Sequence, residues 1–226
     1  AISLSAAVII IYGLFFAPNP ELNIRKNLDQ DVKKVEQTDT PSIEITEKIS
    51  NISRSEAINK SNRIRFENEN IIGTINLNGA IVDDLTFKKY TEKLDGKDNV
   101  VLLNPKNVEN GYYVETGWVT NNKNINLPSA NTLWEIDGNE KLTPNSSVKL
   151  KWSNNSGIKF EKIISIDNNF LFTIEQKIVN NTNKTYNFYP YGQIIRNTAP
   201  EVTNFYILHE GLIGVFDEQL VEEDYD

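Results

Sequence analysis

The fold is decided by residues 148–179, VKLKWSNNSGIKFEKIISIDNNFLFTIEQKIV. Val148, Leu150 and Trp152 alternate with Lys149, Lys151 and Ser153, the period of a strand with one buried face. Asn154-Asn155-Ser156-Gly157 supplies a turn, and a second strand is expected at Ile158–Ile166. Asp167-Asn168-Asn169 separates it from a third at Phe170–Val179. Asn180–Lys184 then breaks the chain before a fourth at Tyr186–Arg196. Four strands joined by short polar turns read as an antiparallel meander. Pro190 cannot donate to a ladder, so the fourth strand is expected at an edge or a bulge.

The same period extends toward the N-terminus. Arg63-Ile64-Arg65-Phe66-Glu67 alternates, with Ile64 and Phe66 inward. Further strands are expected at Ile71–Leu77, Ala80–Phe87, Val100–Leu103, Tyr112–Val119 and Thr132–Ile136. This many short strands with regular turn signals predicts an all-β sandwich or barrel over residues 62–226. The closing DEQLVEEDYD reads as a strand and connection cut short.

Composition narrows the function. The chain has 226 residues, a net charge of -8, no cysteine, no methionine and one histidine, His209. Its acidity makes nucleic acid a poor partner, because phosphate binding needs basic surface. Without cysteine there are no disulfides, thiol nucleophiles or Cys-ligated zinc, and one histidine leaves little material for a multi-histidine metal site. The missing methionine is read as a missing translated start. Asparagine is scattered among apolar residues, as in a folded protein with polar turns. The sequons at Asn51-Ile-Ser53 and Asn180-Asn-Thr182 follow from that abundance.

Residues 1–17, AISLSAAVIIIYGLFFA, carry no charge and are halted by Pro18. A cleavable signal should end in a small-x-small site, whereas Phe15-Phe16-Ala17 puts an aromatic where a small residue belongs. A core helix would alternate more. A membrane-spanning helix needs about 20 apolar residues, and about 17 is the lower limit. Tyr12, Phe15 and Phe16 suit the membrane interface. The segment is therefore read as an N-terminally truncated transmembrane anchor. Arg25, Lys26, Lys33 and Lys34 leave its orientation open. Residues 18–61, polar and without aromatics, are read as a solvated linker. Ile45, Ile49 and Ile52 at helical spacing allow only a transient amphipathic helix.

No phosphate loop, nucleophile elbow, HExxH helix or EF-hand loop is present. Asp83-Asp84 and Glu222-Glu223-Asp224 are adjacent carboxylates; neighbours on a strand point to opposite faces, so both runs are read as solvated surface rather than as an acid–base pair or a calcium site. His209, beside Glu210 at the end of an apolar run, is read as structural. Trp118, Trp134 and Trp152 could stack on sugars, but Trp152 lies on the inward face of its strand and core packing accounts for it. No catalytic, cofactor-binding or metal-binding residue is assigned.

An anchor, a polar linker and a large cysteine-free β-domain, in that order, resemble the N-terminal part of the bacterial YidC (OxaA) membrane protein insertases. Phe66–Tyr90, FENENIIGTINLNGAIVDDLTFKKY, is similar to the opening hairpin of that family's periplasmic domain. Val100–Leu103 with Gly111–Val119, GYYVETGWV, resembles the next pair. Ile158–Asn197, including Tyr191-Gly192-Gln193-Ile194, is similar to its long meander, and Leu208–Asp226 to a later Gly-containing strand with acidic residues. The resemblance implies a twisted antiparallel β-supersandwich, galactose-mutarotase-like. It also implies an inner-membrane protein with a cytoplasmic N-terminus and residues after about 18 in the periplasm. The partners it implies are nascent integral membrane proteins, the Sec translocon with its accessory subunits, and the lipid bilayer. It implies no enzyme activity and no cofactor. The family's working groove is formed by later helices that no residue here matches. The rival reading is a membrane-tethered carbohydrate-binding or aldose-epimerase-like domain. Mutarotase-like enzymes use more than one histidine, and this chain has only His209.

Overall fold

A computed structural model describes residues 52–200 and 209–225. The expected anchor and most of the linker lie outside them. Among the described residues, no helix is long and apolar enough to cross a membrane.

Among the described residues, one short helix, α1 (Arg54–Asn59), precedes thirteen strands. These are β1 (Arg63–Glu67), β2 (Ile71–Asn76), β3 (Ile81–Thr91), β4 (Asn99–Leu103), β5 (Tyr112–Val119), β6 (Glu135–Ile136) and β7 (Lys141–Leu142). β8 (Val148–Ser153), β9 (Ile158–Ile166), β10 (Phe172–Asn180), β11 (Tyr189–Arg196), β12 (Gly211–Phe216) and β13 (Gln219–Asp224) follow. A seven-stranded sheet runs β11-β5-β3-β2-β1-β7, with β4 also paired to β3. A four-stranded sheet runs β10-β9-β8-β6, and β12-β13 form a hairpin. The turn of that hairpin, Asp217-Glu218, has positive φ at both residues, as two-residue hairpin turns require.

The expected strands form, with instructive differences. The stretch at Thr132–Ile136 is a strand only over Glu135–Ile136, with an isolated bridge from Leu133 to Asn78, and β7 adds a parallel partner to β1, so the pairing is not wholly antiparallel. β8, β9 and β10 make the expected meander, but the fourth strand does not join them. β11 crosses to the other sheet and pairs with β5 from Tyr189↔Val119 to Arg196↔Tyr112. The crossing is set by packing. Tyr186 and Phe188 turn onto the core as the chain passes between sheets, Phe188 meeting Phe160 edge-on at 5.8 Å. Pro190 does lie on an edge strand.

The inward stripes of the two sheets form one core. Ile64, Phe66, Ile71 and Ile75 face Val148, Leu150, Phe160 and Ile164, all at most 1% exposed. Phe66 meets Phe172 edge-on at 5.1 Å, and Trp118 lies 5.1 Å from Phe160 and 6.3 Å from Trp134. Trp118 and Trp134 are thus core residues, and Trp152 packs half-buried at the margin beside Phe160. Asparagines tie the turns together: Asn68 Nδ2 donates to the carbonyls of Asp167 and Asn169, joining one sheet to the other. Asn197 Nδ2 likewise donates to the carbonyls of Lys106 and Val108.

The end of the expected linker is ordered. Ser53 Oγ accepts from the Glu56 amide while Glu56 reaches back to the Ser53 amide, a complete capping box, and Ala57 is buried. These contacts offset the poor intrinsic helicity of a six-residue segment.

Candidate functional site

Two features of the sandwich could carry function: a buried polar cluster and an apolar cleft. The cluster is centred on Lys162. The inward stripe of β9 reads Ile158, Phe160, Lys162, Ile164, Ile166, so the strand period drives a lysine into the core. Lys162 is 1% exposed. Its ammonium crosses to the opposite sheet, donating to the carbonyls of Thr116 at 2.6 Å and Gly79 at 3.3 Å. It also sits 5.0 Å from the centre of the Trp134 ring, a cation–π contact. Burial pulls its pKa down to about 7, partly opposed by the charge of Glu115. Tyr191 donates to Glu115 Oε1 at 2.8 Å, and burial together with that bond holds its hydroxyl neutral well above the usual range. The enclosed space between these groups is about 10 Å³, room for a water and nothing larger. The cluster therefore cross-links the sheets and cannot take a sugar.

The cleft is of another kind. It holds about 220 Å³ between β10 and the strands β3, β4, β5 and β11. Val82, Leu85, Val114, Phe172 and Ile174 form its floor and walls. Leu102, Phe170 and Ile194 stand at its rim, 38%, 48% and 69% exposed. No charged side chain and no histidine lines it. Such a surface can bury apolar groups, and with the Tyr112 phenol as its one polar side chain it has nothing to activate a nucleophile.

The carboxylates singled out in the sequence divide. Glu222-Glu223-Asp224 are solvated as expected. Asp83 and Asp84 are not: they are 0% and 5% exposed, which corrects the surface reading. A β-bulge explains it. Thr74 pairs with Asp84 but Ile75 with Val82, so Asp83 is the extra residue. Both carboxylates then meet arginines, Asp83 pairing with Arg63 and Asp84 with Arg54. Thr74 links the two, accepting from Arg63 Nε at 2.6 Å and donating to Asp84 Oδ2 at 2.7 Å. Burial pushes the Asp83 carboxyl above the usual range, outweighing the opposing pull of Arg63. His209 pairs through Nδ1 with Asp224 at 3.3 Å rather than with its neighbour Glu210. Among the described residues, no three His, Asp or Glu are grouped to hold a metal ion. The sequence reading missed Lys162, although its position in the alternation of β9 marked it as inward.

With this geometry in view, residues 63–226 match the family model of the YidC periplasmic domain. The chain belongs to the YidC family. It is 55% identical to the membrane protein insertase YidC of Pelagibacter ubique over 226 residues, covering 100% of this chain and 40% of that protein. It is 43% identical to the YidC of Rickettsia typhi over 183 residues, 80% of this chain and 32% of that protein. The YidC of Mesorhizobium japonicum is 37% identical over 171 residues, 75% and 28% of the two chains. The chain thus spans less than half the length of these YidC relatives. The aligned residues include the cleft and the Lys162 cluster, which lie within the YidC periplasmic domain match.

Proposed function

We propose that this chain is the first anchor and accessory periplasmic domain of a membrane protein insertase that acts as a chaperone for integral membrane proteins, alone or beside the Sec translocon. The observation that carries the reading is the 55% identity with a YidC insertase across every residue of the chain. In this reading residues 1–17 are an anchor, 18–61 a linker and 62–226 a β-domain of galactose-mutarotase-like supersandwich type. The anchor starts in the cytoplasm of a bacterial inner membrane, and everything after about residue 18 lies in the periplasm. No catalytic step is assigned to this domain. Polar segments are costly in lipid, so an insertase works by easing their passage while apolar helices leave sideways into the bilayer. The β-domain contributes a surface for clients or translocon subunits, and the apolar cleft rimmed by Leu102, Phe170 and Ile194 suits that role.

The test is complementation. The full-length protein, produced in a bacterium depleted of its own insertase, should restore insertion of a single-span client. Ile194→Asp should then weaken photo-crosslinks from the cleft rim to translocon subunits without lowering the protein's level. Failure to rescue, together with saturable binding of a hexose by calorimetry, would favour the tethered sugar-binding alternative instead.

A further inference from the structure

The buried acid pair Asp83–Asp84 is gripped by two arginines that bracket α1 in the sequence. Arg54 opens the helix and Arg63 follows its end, and the bulge in β3 puts both acids within their reach. The two grips differ in depth. The Arg63 and Asp83 side chains are 6% and 0% exposed, whereas Arg54 is 35% exposed against 7% for Asp84. Arg54 also donates to Thr86 Oγ1 at 3.1 Å, so it holds β3 at two points. The far end of the helix is tied to the inner pair: Ser61 Oγ accepts from Arg63 Nη1 at 2.8 Å and donates toward the Ala57 and Ile58 carbonyls, while Ala57 is the helix's one buried residue and Ile58 lines an open groove with Ile72 and Gly73. A helix this short does not persist alone in water.

We propose that α1 is a releasable strap, latched to the sheet by Arg54 on Asp84 and Thr86 and hinged at the deeper Arg63–Asp83 pair. Among the described residues, the chain enters the sandwich through this helix. Opening the latch frees residues 54–59, which span about 9 Å as helix and up to about 20 Å extended. The reach of the domain from its N-terminal attachment then grows by about 11 Å, the difference between those two lengths. This consequence rests on the reading of the N-terminus as a membrane anchor; the latch itself does not. Because Arg54 is partly solvated, salt screens the outer grip more than the inner one.

Hydrogen exchange on the full-length protein in membranes tests the latch independently of insertion. In Arg54→Gln, the amides of 54–60 should exchange about tenfold faster while those of β2 and β3 keep wild-type protection. Raising sodium chloride from about 0.05 to 0.5 M should loosen the same amides several-fold in the wild type, which needs no variant to fold. The proposal is overturned if α1 is unaffected by both changes. It is equally overturned if α1 and the sheet lose protection together, since the helix would then belong to the cooperative core.

Discussion

Lys162→Met should abolish a pH dependence of stability that the wild-type domain possesses. Lys162 titrates near 7 in the fold against 10.5 for an ordinary lysine. Between those values the unfolded chain binds more protons than the folded one, so stability rises with pH, by up to about 1.4 kcal/mol per unit. From pH 7 to pH 9 the gain integrates to about 2 kcal/mol, because half the lysines are still protonated at the lower limit. The contribution is complete above the unfolded value and is lost as pH falls through 7. Tyr191 acts oppositely: its hydroxyl is held neutral in the fold, and the stability it contributes is lost only as pH rises past the ordinary tyrosine range. Keeping the measurement below about pH 9.5 therefore isolates the lysine. Urea unfolding followed by tryptophan fluorescence, repeated at half-unit intervals in both proteins, provides the comparison. Other titrating groups are common to both and cancel in the difference. Parallel curves for wild type and Lys162→Met would refute the reasoning, as would a wild-type stability that falls relative to that of the variant toward pH 9.

Asp83→Asn should cost about 3 kcal/mol or more in chemical denaturation, since Arg63 would be left as an uncompensated buried charge. Phe160→Ala, at the junction of Trp118, Trp152 and Phe188, should lower stability by about 3–5 kcal/mol and leave a cavity visible in a crystal structure. Gly117→Val should cost about 1–3 kcal/mol, because a Cβ there would stand 2.7 Å from the Tyr191 ring; amide exchange should locate the damage in β11.

Local pattern carried the strands whose partners are their sequence neighbours. β8, β9 and β10 follow from alternation and Asn-rich turns, since a hairpin needs only adjacent strands and a short connection. β11 shows where that logic stops. Its strand character was legible, but its partner was β5, chosen because Tyr186 and Phe188 bury against a core made by both sheets. Asp83 and Asp84 failed for a related reason: a bulge changes which way two neighbours point, and no local pattern announces it. α1 lay in a stretch with weak helix propensity, and a capping box plus docking on β3 overrode it. Lys162 could have been found earlier by extending the alternation of β9 through a charged residue instead of past it.

The apolar cleft had no legible counterpart. Val82, Val114, Phe172 and Ile194 each lie in an expected strand, and only the packing of two sheets left them facing a common opening. What the amino-acid order settled was the class of structure, most of the strand positions and the family. Each depends on short-range periodicity, composition or the succession of motifs. What needed the folded molecule was the sheet that receives β11, the burial of the acid pair, the cross-sheet reach of Lys162 and the cleft. All four arise where residues distant in the chain compete for the same interior, and the lowest free energy of that competition belongs to the whole sandwich rather than to any segment.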